Sequence, residues 1–258
     1  MLIALQLLTG LLLSLQDRLL YPFDATPAVS PHFERVAHES HDGLRLVGWR
    51  HLPADPAAPT VVFFMGNAGT LAAFEPHLEL HRRAGHGVLA MGYRGGGGLP
   101  GQPSEAALKA DALAFFDALP RLAGPGRAAR GVHLHGFSLG SGLALHVAAE
   151  RDVRSVILEA PFTRACDVLE VRSEGRIAAC DASGFDSWEN AGLMPEVAEP
   201  VLVIAGGADA LIPPPLGAKM GRRAEAQGGA FVAVPGAGHG NALWRGGWPP
   251  LAGWIASH

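Results

Sequence analysis

Short, continuous apolar runs rich in β-branched residues recur along this chain, and they constrain its fold more than any other feature. Strands that are buried on both faces of a parallel sheet have this composition. Helical stretches separate the runs; in residues 103–122, Ser104 is a candidate N-cap and apolar residues recur at helical spacing. The runs cover residues 60–65, 87–92, 131–136, 155–158, 200–205 and 230–234.

Two further strands are predicted ahead of these runs. Residues 33–40 and 44–52 should form a hairpin, because His41-Asp42-Gly43 supplies a turn between them. Strand and helix then alternate, which predicts an α/β fold: a mostly parallel sheet of about eight strands with helices on both faces. We expect one domain over residues 23–258. Functional groups of such a sheet gather in loops at the carboxyl ends of its strands.

Residues 164–199 interrupt the alternation, because they contain no buried-strand run. This stretch is predicted to be a short lid over the carboxyl edge of the sheet; a plain surface excursion is the alternative. Cys166 and Cys180, the two cysteines of the chain, both lie in it. Two free thiols are favoured over a disulfide, since sequence does not show whether their Cα atoms approach each other.

The N-terminus has a different character. Residues 1–15 are apolar on every side, yet the run is shorter than the roughly 20 residues of a membrane-spanning helix. No Lys or Arg precedes it, and no small-residue cleavage site follows it. Residues 1–22 are therefore predicted to be a membrane anchor or signal-like helix, so that the chain is membrane-associated. An exported protein, or a cytoplasmic one with this helix packed on the domain, is the alternative.

Charge excludes one class of partner. A net charge of −4 without a basic run argues against nucleic-acid binding, which requires clustered Lys and Arg. The sequence does not indicate an oligomeric state.

The pentapeptide Gly136-Phe137-Ser138-Leu139-Gly140 is the first candidate for chemistry. The glycine content of the chain gives about 0.2 chance matches to Gly-x-Ser-x-Gly, so the pattern alone is weak. Its placement is stronger, because it closes a predicted strand and opens a predicted helix. A Cβ at either glycine should strike neighbouring backbone at so sharp a turn. Ser138 is therefore predicted to be a nucleophile.

A serine nucleophile needs a base, and the base needs a carboxylate that holds it in the right tautomer. Asp209 follows the strand at residues 200–205, and His239 follows the strand at residues 230–234. The order Ser138, Asp209, His239 and the three loop positions predict a catalytic triad. Glu159, which follows its own strand, is the alternative acid.

Two backbone N–H groups should stabilise the oxyanion. One is predicted at Leu139; the other is predicted at Asn67, in the loop Met65-Gly66-Asn67-Ala68-Gly69. The alternative interpretation is that this loop is merely a tight turn.

The other histidines are assigned structural places. His133 and His135 are predicted to be core or rim residues rather than metal ligands, because no third ligand is spaced nearby. His77, His81 and His86 are interpreted as surface residues. No metal or cofactor is expected.

Taken together, several segments resemble the N-terminally anchored α/β-hydrolases, which include the ABHD-type lipases and depalmitoylases and the Bem-like proteins. The resemblance covers nearly the whole chain and implies the same triad. Met65 replaces the histidine that usually precedes Gly-Asn-Ala-Gly, and Gly95 to Gly98 replaces a loop that contains an aromatic residue. The matching segments are residues 19–22, 64–69, 93–95, 103–105, 136–140, 160–163, 185–187 and 235–239.

The resemblance and the triad together predict a serine hydrolase that cleaves carboxylic esters or thioesters, with acyl-chain-bearing or other small-molecule substrates near a membrane. A peptidase or amidase, or an acyltransferase, would use the same triad. A catalytically silent scaffold protein is the alternative from another class.

Overall fold

The computed structural model describes residues 16–175 and 186–258. Its centre is one eight-stranded sheet in the order β1-β2-β4-β3-β5-β6-β7-β8. The strands are β1 Glu34–Glu39, β2 Arg45–His51, β3 Thr60–Phe64, β4 Gly87–Ala90, β5 His133–Phe137, β6 Ser155–Glu159, β7 Val201–Gly206 and β8 Ala230–Val234.

The pairing follows the hydropathy pattern of the sequence. Strands β1 and β2 form the predicted antiparallel hairpin, and β2 pairs antiparallel with β4. In the rest of the sheet, which runs β4-β3-β5-β6-β7-β8, every neighbouring pair of strands is parallel. The predicted fold class is therefore confirmed, including the number of strands.

Helices connect and cover the strands. The α-helices of the described residues, apart from the helical residues 16–20, are α1 Glu75–Arg83, α2 Glu105–Asp117, α3 Leu119–Leu122, α4 Pro125–Ala129, α5 Leu139–Glu150, α6 Ala165–Arg172, α7 Asn190–Leu193, α8 Pro214–Ala226 and α9 Trp248–Ser257. Short 3₁₀ turns span Leu71–Phe74, Met194–Glu196 and Leu243–Arg245. The predicted cap is present at α2, because Ser104 Oγ accepts the Ala107 N–H at 3.2 Å.

Successive strand residues are buried on opposite faces of the sheet. In β6, Val156 and Leu158 belong to one apolar cluster, whereas Ile157 belongs to a second cluster that includes Leu251 and Ile255 of α9. A strand with both faces covered must be apolar at every position, because its side chains alternate between the faces. This is the physical reason for the continuous apolar runs.

The interpretation of His77, His81 and His86 as surface residues was wrong. They are 5%, 0% and 8% exposed: α1 turns His77 and His81 toward the sheet, and His86 is buried in the turn that leads into β4. His81 Nε2 lies 3.0 Å from His135 Nδ1, and His81 Nδ1 lies 3.3 Å from His86 Nδ1. Burial lowers the pKa of His81 and His86, so neutral imidazoles connect helix and strand.

His133 and His135 are core residues, as predicted, since both are fully buried. The described part of the chain contains no group of three or more His, Cys, Asp or Glu side chains that could hold a metal ion.

The expectation of two free thiols was also wrong, because Cys166 is disulfide-bonded. The approach of two Cα atoms that a disulfide requires is a property of the fold and is not encoded in local sequence. Cys180 lies outside the described residues, as do residues 176–185 of the predicted lid.

The predicted anchor also lies mostly outside the described residues, which begin at Gln16. Within residues 16–175 and 186–258, no helix combines the length and the hydrophobicity needed to cross a bilayer.

Candidate active site

The turn between β5 and α5 presents Ser138 at the carboxyl edge of the sheet. Strand β5 ends at Phe137 and α5 begins at Leu139, so a single residue connects them. The backbone of Ser138 has φ 51° and ψ −114°, a strained conformation for a residue with a side chain. Its N–H donates to the Glu159 carbonyl at 2.8 Å, and its carbonyl accepts the Ser141 N–H at 2.9 Å. Hydrogen bonds thus hold the strained turn on both sides.

Two glycines make this turn sterically possible. A Cβ at Gly136 would lie 2.4 Å from the Gly140 carbonyl oxygen, and a Cβ at Gly140 would lie 2.0 Å from the Phe64 carbonyl oxygen. Both contacts are with backbone, which cannot rotate away. The expected collision of a side chain with neighbouring backbone is therefore confirmed.

The structure brings Asp209 and His239 into direct contact. Asp209 follows β7, His239 follows β8, and His239 Nδ1 lies 2.8 Å from Asp209 Oδ2. An ionised carboxylate can only accept hydrogen bonds, so this contact fits an Nδ1–H donor, and in a neutral imidazole Nε2 is then an acceptor. Asp209 Oδ1 accepts the N–H groups of Leu211 and Ile212, both at 2.8 Å. These backbone bonds fix the plane of the carboxylate.

His239 lies beside the turn that carries Ser138. The rings of His239 and Phe137 are 5.0 Å apart between centroids, and the His239 side chain is 19% exposed. In the described part of the chain the Ser138 hydroxyl makes no hydrogen bond. Hydrogen bonds to a nucleophile are often long before substrate binds and shorten in the reacting complex. The described structure therefore pairs His239 with Asp209 and leaves the Ser138 hydroxyl without a hydrogen bond to either.

Glu159, the alternative acid, lies in the interior instead. It is fully buried, and its Oε2 lies 3.3 Å from His135 Nε2 and 3.6 Å from His77 Nε2. Burial acts to raise the pKa of this carboxyl, but the two imidazoles outweigh burial and hold the pKa below its ordinary range. The contacts of Glu159 are with these buried histidines, whereas His239 pairs with Asp209.

A cleft that is open to solvent borders Ser138. Both predicted oxyanion residues, Asn67 and Leu139, line this cleft beside the serine. Leu139 is the first residue of α5, where backbone N–H groups have no partner within the helix. The remaining lining is apolar except for Arg172, and it comes from segments far apart in the chain.

Sequence reasoning missed most of this lining. Ala165, Val168, Leu169 and Arg172 all face the cleft from α6. Their spacing of three, four and seven residues is the pattern of one helix face, and it is visible in the sequence. Leu19 and Leu20 also line the cleft, so the chain that follows the N-terminal apolar run forms part of its wall.

A cluster of polar side chains holds this wall in place. Tyr21 Oη donates to Asp186 Oδ2 at 2.5 Å and accepts the indole N–H of Trp188 at 3.1 Å. Asp186 Oδ2 also accepts the Glu105 N–H at 2.9 Å, and Glu105 Oε2 accepts the Trp188 N–H at 2.9 Å. Three of the segments that carry the family resemblance therefore meet at one place. We call these four residues the Tyr21 clamp.

The departures at Met65 and at the glycine loop have structural counterparts. The Met65 side chain is fully buried, and its carbonyl accepts the Tyr93 hydroxyl at 2.7 Å. A Cβ at Gly96 would lie 2.1 Å from the Gly69 carbonyl oxygen. The glycine loop thus packs directly against the backbone of the Asn67 loop, which supports that loop from outside the cleft.

No protein-family model matches the chain. It is 35% identical to an uncharacterized protein of Mycobacterium tuberculosis over 236 residues, which cover 88% of this chain and 81% of that protein. It is 29% identical to alpha/beta hydrolase domain-containing protein WAV2 of Arabidopsis thaliana, with 80% of this chain and 74% of WAV2 covered.

Among solved structures, the esterase Pf2001 of Pyrococcus furiosus superposes with a TM-score of 0.73 at 18% identity. The match covers 92% of this chain and 98% of the esterase. At this identity the likeness concerns the fold.

The steric crowding at the turn between β5 and α5 predicts different effects on stability for substitutions at two glycines. Gly140→Ala should lower the free energy of unfolding by about 3 kcal/mol, because the new Cβ would overlap the Phe64 carbonyl oxygen. Gly126→Ala in α4 is the matched control, since its Cβ would meet no atom within 4 Å. That control should change stability by less than about 1 kcal/mol. Urea unfolding of the three proteins measures both values, and equal midpoints for Gly140→Ala and wild type would contradict the steric account.

Proposed function

This chain belongs to the α/β-hydrolase superfamily, and from that premise we propose that it is a serine hydrolase that cleaves carboxylic ester or thioester bonds. The observation that carries the proposal is the 2.8 Å contact of His239 with Asp209, next to a cleft that Ser138 lines. Ester hydrolysis through a serine needs a base beside the nucleophile and a carboxylate behind the base. The arrangement of these loops supports all three roles.

In the proposed reaction Ser138 Oγ attacks the acyl carbonyl carbon while His239 Nε2 takes the hydroxyl proton. Asp209 stabilises the imidazolium that forms. The carbonyl oxygen becomes negative and receives hydrogen bonds from the N–H groups of Leu139 and Asn67. His239 then protonates the departing alcohol or thiol, which leaves an acyl-enzyme. A water molecule, deprotonated by His239, releases the acid and restores Ser138.

The lining of the cleft supports an acyl chain as the part of the substrate that it binds. Leu20, Phe162, Leu169 and Ile212 contribute apolar surface next to Ser138. Burial of a methylene group against such surface stabilises a complex by about 0.8 kcal/mol, so successive methylenes of a bound chain should raise affinity.

We also propose that the substrate is reached at a membrane. Leu19 and Leu20, which line the cleft, follow closely in the sequence after the apolar residues 1–15. Leu19 is 44% exposed, and Leu211, a second lining residue, is 38% exposed. Exposed apolar residues beside a cleft favour contact with a lipid surface over contact with water.

The proposed nucleophile and acid have separate tests. Ser138→Ala should abolish labelling by a fluorophosphonate probe and lower kcat for p-nitrophenyl esters by about 10⁶-fold, on the precedent of subtilisin. Asp209→Asn should lower kcat by about 10⁴-fold, because it favours the wrong imidazole tautomer. Ser257→Ala is the matched control for the serine variant, and Glu159→Gln tests the alternative acid. A larger loss for Glu159→Gln than for Asp209→Asn would move the acid role to Glu159, and unlabelled wild type would refute the hydrolase.

A bulky side chain in the cleft should shorten the preferred acyl chain. Leu169→Trp is expected to lower kcat/KM for p-nitrophenyl decanoate by at least about tenfold, because lost room for methylenes costs binding energy. Hydrolysis of p-nitrophenyl acetate, which does not reach that wall, should change little. Val171→Trp, on the exposed side of the same helix, is the control. Parallel loss on both esters would show that the cleft does not hold the acyl chain.

Membrane attachment can be measured by flotation of the full chain with phosphatidylcholine vesicles. We expect the wild type to float with the vesicles. Replacing Leu11, Leu12 and Leu13 by lysine should leave it in the aqueous fraction, because each buried charge opposes insertion. Val29→Lys is the control, since Val29 is already 69% exposed. Wild type that stays with the aqueous fraction would refute attachment.

A further inference from the structure

The described lining of the cleft beside Ser138 contains one positively charged residue, Arg172, and no acidic residue. The other polar groups of the lining are Asn67 and Ser138, which the proposed reaction already uses. A guanidinium remains protonated under all ordinary conditions, so one permanent positive charge borders an otherwise apolar cleft.

Arg172 has no partner among the described residues. Arg164, at the start of the same helix, is paired instead, because it contacts Asp167 at 2.6 Å. Arg172 makes neither an ion pair nor a hydrogen bond in the described part of the chain. Its charge is therefore available to a ligand in the cleft.

The position of Arg172 on α6 aims it at the same space as the apolar lining. Ala165, Val168, Leu169 and Arg172 occupy one face of the helix and all border the cleft. Asp167, which could neutralise it, is engaged instead by Thr163 and Arg164. The wall is thus apolar over most of its length and positive at its last residue.

The order of residues along α6 determines where a charged group of a substrate would bind. Segment 160–164 leads from β6 into α6, and the Glu159 carbonyl of β6 accepts the Ser138 N–H at 2.8 Å. Arg172 lies seven residues after Ala165, which is about 10 Å along the helix at roughly 1.5 Å per residue. Apolar surface therefore separates the reactive end of the wall from its cation.

We propose that Arg172 is a specificity-determining residue that binds an anionic group of the substrate. The substrate class is then an amphipathic ester or thioester with a carboxylate or phosphate that an apolar stretch separates from the scissile carbonyl. Guanidinium groups bind both anions through paired hydrogen bonds. The inference rests on the proposed hydrolase activity and adds the charge of its substrate.

Matched ester pairs test this inference. In the first pair, p-nitrophenyl octanoate is neutral and mono-p-nitrophenyl octanedioate carries a carboxylate at the far end of the acyl chain. In the second pair, a monoacylglycerol is neutral and the corresponding acylglycerol phosphate carries its anion on the alcohol side. Each is used below its micelle concentration. The variants are Arg172→Gln and Arg172→Lys, with Arg222→Gln on α8, outside the cleft lining, as the control.

We expect Arg172→Gln to lower kcat/KM for the anionic member of at least one pair by about 10- to 100-fold, since a hydrogen bond to a charged group is lost. The neutral member should change less than about threefold, and Arg172→Lys should retain part of the preference. Added salt should raise KM for the anionic member in wild type and have little effect in Arg172→Gln. The pair that responds tells whether the anion belongs to the acyl chain or to the alcohol.

The same measurements distinguish a wrong role for Arg172 from a wrong assignment of hydrolase activity. If both neutral esters are cleaved in a Ser138-dependent manner and Arg172→Gln leaves every anionic-to-neutral ratio unchanged, the role of Arg172 is refuted while the hydrolase stands. If wild type cleaves none of the four esters, the hydrolase and the inference built on it both fall.

Discussion

The close approach of backbone atoms at the turn after β5 is the constraint on which the rest of the site depends. Gly140 lies so near the Phe64 carbonyl of β3 that no Cβ fits between them, and the Ser138 N–H is bonded to the Glu159 carbonyl of β6. Strands β3 and β6 flank β5 on either side. The position of Ser138 is thus set by the hydrogen-bonded sheet, which holds a backbone conformation that the residue would not adopt alone.

The same sheet separates two carboxylates that look alike in the sequence. Glu159 ends β6 and points into the interior, where it lies between His77 and His135. Asp209, three residues after β7 ends, extends beyond the edge and meets His239, which is partly exposed. Both acids are buried, and they differ in their partners: Glu159 lies beside buried histidines, whereas Asp209 contacts a histidine that is partly exposed to solvent.

The walls of the cleft depend on a different interaction. The cleft wall combines three segments that are distant in the chain: Leu19 and Leu20, α6, and the loop after Asp209. Of these, the N-terminal leucines and α6 are not part of the hydrogen-bonded sheet. The Tyr21 clamp joins the N-terminal segment to the start of α2 and to residues 186–188, and the Ser187 carbonyl accepts the N–H of Ala165, the first residue of α6, at 2.8 Å. Burial and the Asp186 carboxylate raise the pKa of Tyr21, so its hydroxyl remains a donor. These contacts hold the apolar lining and Arg172 around the same cleft.

The sequence by itself determined the sheet, the turn around Ser138 and the positions of Asp209 and His239 along the chain, because these follow from local patterns. Buried strands are apolar at successive positions, and a turn without room for a Cβ requires glycine. Only the tertiary structure decided what depends on pairs of distant residues. It buried His77, His81 and His86, placed Cys166 in a disulfide, chose Asp209 over Glu159 as the partner of His239, and turned Arg172 toward the cleft. The physical reason is that exposure, ion pairing and the approach of two Cα atoms are properties of the packed chain, which no local stretch of sequence contains.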